Sequence, residues 1–152
     1  MGQHSAGVLL YRVRDDAVQV LLAHPGGPFW EGKDDGAWSI PKGLFESDEL
    51  PLAAAKREFE EETGFRIDGD FIDLGTLKLS SGKIVHGFAL AGDLDASEIN
   101  SNTCTVEWPP RSGQMHEIPE IDRGEWFDVE MARRKISKGQ LPFLDRLLAK
   151  LG

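Results

Sequence analysis

Four glutamates, Glu49, Glu58, Glu61 and Glu62, crowd the segment GLFESDELPLAAAKREFEEETGF between Gly43 and Phe65. Glu58, Glu61 and Glu62 are spaced by three and four residues, so a helix projects them from one face within a turn of each other. Like charges at that spacing repel and destabilise an isolated helix, so a compensating positive charge is expected. Carboxylate oxygens are preferred by hard divalent cations such as Mg²⁺ and Mn²⁺. The spacing therefore offers a cation platform, of the kind that handles phosphates. The plainer account of an acidic run is a solvated helix face.

The surroundings favour the platform. Arg57, four residues before Glu61, can bridge to the cluster without taking the place of a cation. Leu52, Ala55 and Phe59 recur at helical spacing and give a buried stripe, while Ala53 and Ala54 permit close packing. Pro51 is tolerated in a first turn, which sets the expected helix start near Asp48 or Glu49. Gly64 after Thr63 reads as a left-handed C-cap. The expected helix is about 15 residues long and lies between two glycines.

This segment resembles the Nudix box, G-x5-E-x7-R-E-U-x-E-E-x-G-U, with U a bulky apolar residue. Gly43, Glu49, Arg57, Glu58, Phe59, Glu61, Glu62, Gly64 and Phe65 fill every fixed position. The preceding WSIPKG, Trp38 to Gly43, resembles the approach to the box in dinucleoside-polyphosphate and related hydrolases. The resemblance implies an α/β/α sandwich with a mixed β-sheet, and hydrolysis of a phosphoanhydride in a nucleoside diphosphate derivative with Mg²⁺ or Mn²⁺. It leans to dinucleoside polyphosphates or nucleoside triphosphates. Subgroup markers for NADH and coenzyme A are missing, and Ser80-Ser81-Gly82 stands where other subgroups carry proline or tyrosine.

By the same resemblance Glu58, Glu61 and Glu62 are metal ligands, joined by the main-chain carbonyl of Lys42. Glu61 is open to a ligand or a base role, Arg57 orients the cluster, and Glu49 bonds to Arg57 or assists at the metal. The base is left between Glu61, Glu62 and a residue outside the box. Glu120, in IPEIDRGEWF, is the candidate for a further carboxylate at the metal, weighed equally against an exposed loop acid. The Lys42 ammonium is a candidate for phosphate contact. Phe29 and Trp30, on the glycine-rich stretch PGGPFWEGKDDGAW, are candidates for a lid that touches substrate; Trp108 could stack on a base, and Trp38 reads as core. His24 and His86 read as structural, His116 as solvated, and His4 stays open.

Length and composition agree with a small enzyme of one domain, residues 1–152, with 40% apolar and 28% charged residues. The net charge of −9 disfavours a grip on long nucleic acid but not on a nucleotide, because bound cations reverse the local sign. An RNA 5′-end pyrophosphohydrolase and a non-catalytic nucleotide-binding regulator remain as alternatives. The single cysteine, Cys104, the lack of a leader pattern and the absence of a membrane-length apolar run give a cytoplasmic expectation. Relatives are often dimers, which leaves a homodimer open.

Alternation and β-branching predict strands over residues 5–13 and 17–24, turned by Asp15-Asp16. A long loop follows, then extended chain at 38–40, the box helix, and strands over 71–79 and 84–91. A helical turn is expected at 95–101, extended chain at 102–108 and 124–128 around an irregular 109–122, and helices over 129–137 and 142–151.

Overall fold

The computed structural model describes residues 3–152. A six-stranded mixed sheet runs in the order β4 (Ile72–Lys78), β5 (Ile84–Ala91), β1 (His4–Arg14), β2 (Ala17–Pro25), β8 (Ile121–Asp128), with β3 (Lys42–Leu44) also paired to β1. β1 is parallel to β5 along eight residue pairs and antiparallel to β2 and β3. Its side chains alternate between two cores, as the pleat requires. Leu9 faces the layer of α2 (Val129–Lys135) and α3 (Leu141–Leu151), where it joins Val20, Trp38, Phe143 and Leu147. Val8 and Leu10 face α1 (Pro51–Thr63), with Ala54, Ala55 and Phe59. The result is the expected α/β/α sandwich.

Residues 39–44 wedge between β1 and β2. Ser39 bridges Ala23, the Val8 N–H donates to the Pro41 carbonyl at 3.2 Å, and Lys42–Leu44 take up pairing with Ser5–Gly7. The wedge opens the sheet and forms the floor of a cleft. Buried Gln140 secures it, accepting from the Ile40 N–H at 3.0 Å and donating to Ser39 Oγ at 2.9 Å.

The box helix begins at Pro51, later than the expected Asp48 or Glu49, because Leu50 is extended and Pro51 takes the first helical position. It ends as expected at Gly64, φ 81°, whose N–H donates to the Glu60 carbonyl at 2.8 Å. The irregular stretch expected at 109–122 is largely ordered. β6 (Thr103–Glu107) and β7 (Met115–Pro119) pair as a hairpin separate from the main sheet, and β8 starts at Ile121. β6 falls within the extended chain expected at 102–108, whereas β7, exposed along most of its length, carries no burial period that marks it. α2 stops at Lys135, two residues short of the expected end. Among the described residues no helix is long and apolar enough to cross a membrane.

Candidate active site

The core helix α1 presents its glutamates to two different surroundings. Glu58 and Glu62 turn toward the sheet and are buried at 8% exposure each, although both are acids. Glu62 Oε1 accepts from the Lys42 N–H at 3.1 Å. Glu58 lies so close over Gly43 that any Cβ there would overlap its carboxylate, which accounts for a glycine at that position. Glu61, one step round the helix, is 41% exposed and faces Arg57 at 3.4 Å. Glu58 and Glu61 thus meet at the same Arg57 Nη1, at 2.8 and 3.4 Å, while Glu62 turns toward Lys42.

Arg57 is the counter-charge. Its Nε and Nη2 donate to the two Glu49 oxygens at 3.0 and 2.9 Å, a forked geometry, and Nη1 donates to Glu58 at 2.8 Å. The hydrogen bond to Arg57 holds the Glu49 carboxyl below its ordinary range. Glu49 is thus occupied with the arginine. Burial pushes the Glu62 carboxyl up to about 8, with the nearby charge of Glu120 adding to it; Glu58 is also raised, again by burial first. Burial lowers the Lys42 ammonium, against the pull of Glu62.

Of these groups Glu62, Lys42 and Glu120 line a cleft of about 670 Å³. They form one end, and Phe29, Trp30 and Trp108 line its apolar sides with Val106 and Ile118 from the hairpin. Glu120 is held there by main-chain hydrogen bonds. The Glu61 carbonyl accepts from Asn102 N–H at 2.9 Å, the Asn102 carbonyl from Glu120 N–H at 2.9 Å, and the Glu120 carbonyl from Gly26 N–H at 3.0 Å. This run ties the C-terminus of α1 to the β7–β8 junction and to the glycine loop. Gly26 and Gly27 serve close approach: a Cβ on either would strike Pro119 or Ile118.

The glycine loop is not a loose lid. Asp34 accepts from Trp38 Nε1 at 2.9 Å and from Lys135 Nζ at 2.6 Å, and the Gly36 N–H donates to the Arg134 carbonyl. Trp38 is core, as expected, packed edge-on against His24 and Phe127. Phe29 is exposed and Trp30 half-buried. Sequence reasoning anticipated β6 and Trp108 but missed β7 and the pairing that makes the two strands a wall. Cys104, whose thiol burial pushes up, also lines the cleft. His116 is more than solvated: Nε2 meets the Trp108 carbonyl at 3.0 Å and braces the hairpin.

Among the described residues no three side chains of ligating type are drawn around a single point. The donor set nevertheless suits a hard divalent cation. Glu58 and Glu62 are buried oxygens whose negative charge is disfavoured by desolvation and by Glu120, and a cation at this end of the cleft would relieve both.

A profile of the NUDIX domain matches residues 3–147. An octanoyltransferase from Myxococcus xanthus is 34% identical over 105 residues, 66% of this chain and 25% of that protein. Against three curated relatives the chain spans 25%, 57% and 63% of their lengths. Among solved structures, the NUDIX domain of Shewanella oneidensis NrtR complexed with ADP ribose superimposes with a TM-score of 0.70 at 14% identity, covering 100% of this chain and 90% of that one. A Caenorhabditis elegans Ap4A hydrolase in a binary complex gives 0.66 at 21% identity, with 97% of each chain covered. The match spans nearly the whole length of the sequence, and the chain belongs to the NUDIX domain family.

Proposed function

We propose that this protein is a pyrophosphohydrolase that cuts a phosphoanhydride in a nucleoside diphosphate derivative, dependent on Mg²⁺ or Mn²⁺. The observation that carries the reading is the buried Glu62 carboxylate at the end of a cleft whose sides are apolar and aromatic. Phosphates belong at the charged end and a base along the walls. Similar folds hold ADP ribose or act on Ap4A, which agrees with that division. The WSIPKG approach inclines the substrate class to dinucleoside polyphosphates or nucleoside triphosphates.

Glu58 and Glu62 would hold the cation, with Glu120 and the Lys42 carbonyl at the same end of the cleft. When bound, the cation supplies neutralisation of phosphate charge and a water acidified enough to attack. Arg57, clamped by Glu49, fixes the Glu58 carboxylate and limits repulsion along the helix. Lys42, in the cleft wall, contacts phosphate oxygen. Attack on phosphorus needs a proton acceptor; Glu62 and Glu120 line the cleft, and Glu61 stands exposed beside Arg57. Phe29 and Trp30 contact the substrate at the rim. With one thiol and a nucleotide substrate, the protein suits the cytoplasm.

The test is a panel of dinucleoside polyphosphates, nucleoside triphosphates, ADP ribose and 5′-triphosphorylated RNA, assayed with Mg²⁺ and with Mn²⁺. Metal-dependent release of phosphate or nucleotide from a small substrate is expected. No turnover anywhere on the panel would overturn the enzymatic reading, and turnover of RNA alone would overturn the substrate class.

A further inference from the structure

The two edges of the main sheet are finished differently. At one edge β4 pairs only with β5, and Arg146 of α3 caps it, its Nη1 donating to the Leu74 and Thr76 carbonyls at 2.9 and 3.0 Å. A register shift between Asp73 and Thr76 interrupts the same strand. Devices of this kind keep an edge from pairing with another chain. At the other edge β8 pairs only with β2.

The outward main-chain groups of β8 follow from those of β2. Ala23 directs its N–H and its carbonyl at Ser39, at 2.8 and 2.9 Å, so the groups of Gly124, its neighbour on β8, point away from β2. By alternation those of Trp126 do the same. Among the described residues no main-chain hydrogen bond meets either pair. A groove of about 620 Å³ is lined by every residue from Asp122 to Trp126. Consecutive residues of a strand point to opposite faces, so a groove that all of them line follows the edge itself. A Cβ on Gly124 would strike Ile99 Cδ1, which shows that Ile99 covers the face of the strand and leaves its edge open.

We propose that this edge takes a second copy of the chain, β8 pairing antiparallel with β8 about a two-fold axis at Gly124, so that one sheet continues through both copies. Charge selects the partner and the register. With the axis at Gly124, each copy's Arg123 lies directly opposite the Glu125 of the other, with Cβ atoms about 5 Å apart. Both side chains are exposed and free to meet. The outward N–H and carbonyl of each Gly124 are then exchanged across the axis. Moving the axis by one residue sets Arg123 or Glu125 against itself, and like charges directly opposite are destabilising. Moving it to Trp126 leaves both charges without an opposite.

Sedimentation velocity over a concentration series reads the association, and the wild type should pass from monomer to dimer. Arg123→Glu and Glu125→Arg should each raise the dissociation constant by about tenfold or more, because two attractive pairs become two repulsive ones. The double reversal restores both pairs and should return the constant to within about threefold of wild type. Hydrogen exchange gives an independent readout: the Gly124 and Trp126 amides of the wild type should slow as protein concentration rises. A wild type that stays monomeric throughout would overturn the proposal. So would single reversals that leave the dimer unchanged, a double reversal no better than either single, or edge amides indifferent to concentration. Should a variant fail to fold, the exchange of the wild type still decides, and no outcome depends on what the cleft binds.

Discussion

The two sides of the cleft are built by opposite means. On the charged side, α1 carries Glu58, Glu62 and Arg57 on one continuous element, and Gly43 lets the sheet touch it. On the apolar side, Trp30 and Trp108 come from segments far apart in sequence, held together by the glycine loop and the β6–β7 hairpin. A helix fixes geometry through local hydrogen bonds, whereas the rim depends on long-range ones such as Gly26 N–H to the Glu120 carbonyl. The rigid side suits chemistry, where small displacements cost rate; the assembled side suits choice of substrate.

The comparison breaks most decisively at Glu62. Glu62→Gln keeps an oxygen for the Lys42 N–H but removes the charge. It should lower kcat by about 10²–10³-fold with thermal stability retained. A rate within a factor of two of wild type would mean the helix side is not where chemistry occurs. Gly43→Ala tests the same side through packing, since the new methyl overlaps the Glu58 carboxylate. It should cost about 1–3 kcal/mol of stability and about 10–100-fold in metal affinity; an unperturbed variant would show that the close approach is incidental.

Next in size is a pH effect belonging to the helix side alone. Glu62 sits at about 8 when folded, above its ordinary 4.5, so the folded metal-free chain holds a proton that the unfolded chain has released. Stability of the metal-free protein should therefore fall as pH rises from about 5 to about 8, by at most about 1.4 kcal/mol per pH unit. Divalent cation should reverse the trend, raising Tm more at pH 8 than at pH 6. Thermal scans with chelator and with Mg²⁺ decide it: a metal-free Tm that rises over this window would contradict the buried charge.

The difference between the sides also explains what the sequence disclosed. The box helix, its Gly64 cap and its Phe59 stripe were legible because helical spacing and capping are local. Arg57 beside Glu61 was legible for the same reason, and its bond to Glu49 was one of the expectations; its bond to Glu58 was not. Glu120 was weighed equally against an exposed loop acid; the bond its N–H gives to the Asn102 carbonyl joins it to a segment tied to α1, which no local pattern announces. Of the hairpin, β6 was legible as extended chain, whereas β7 escaped because four of its five residues are exposed and its pairing with β6 is long-range. His24 looked structural within a strand, and its two hydrogen-bond partners come from residues 33 and 122.

The smallest effects should come from the rim, and they should differ between its residues. Trp108 is anchored through its main chain: its main-chain N–H donates to the Gln114 carbonyl at 2.9 Å and its carbonyl meets His116. A base stacked on an indole whose backbone is pinned displaces no competing cation, so Trp108→Ala should raise KM by about fivefold or more, on the order of 1 kcal/mol, with kcat little changed. Phe29 is 54% exposed, and Lys33 lies close to its ring. The ring must trade that cation for a base, and the exchange returns little. Phe29→Ala should therefore raise KM by only about twofold, on the order of 0.5 kcal/mol, because the exposed cation contact it replaces is itself worth about that much. Steady-state kinetics on the best substrate of the panel compare the two. Equal effects, or a larger one at Phe29, would mean that the loop, and not the hairpin, grips the base.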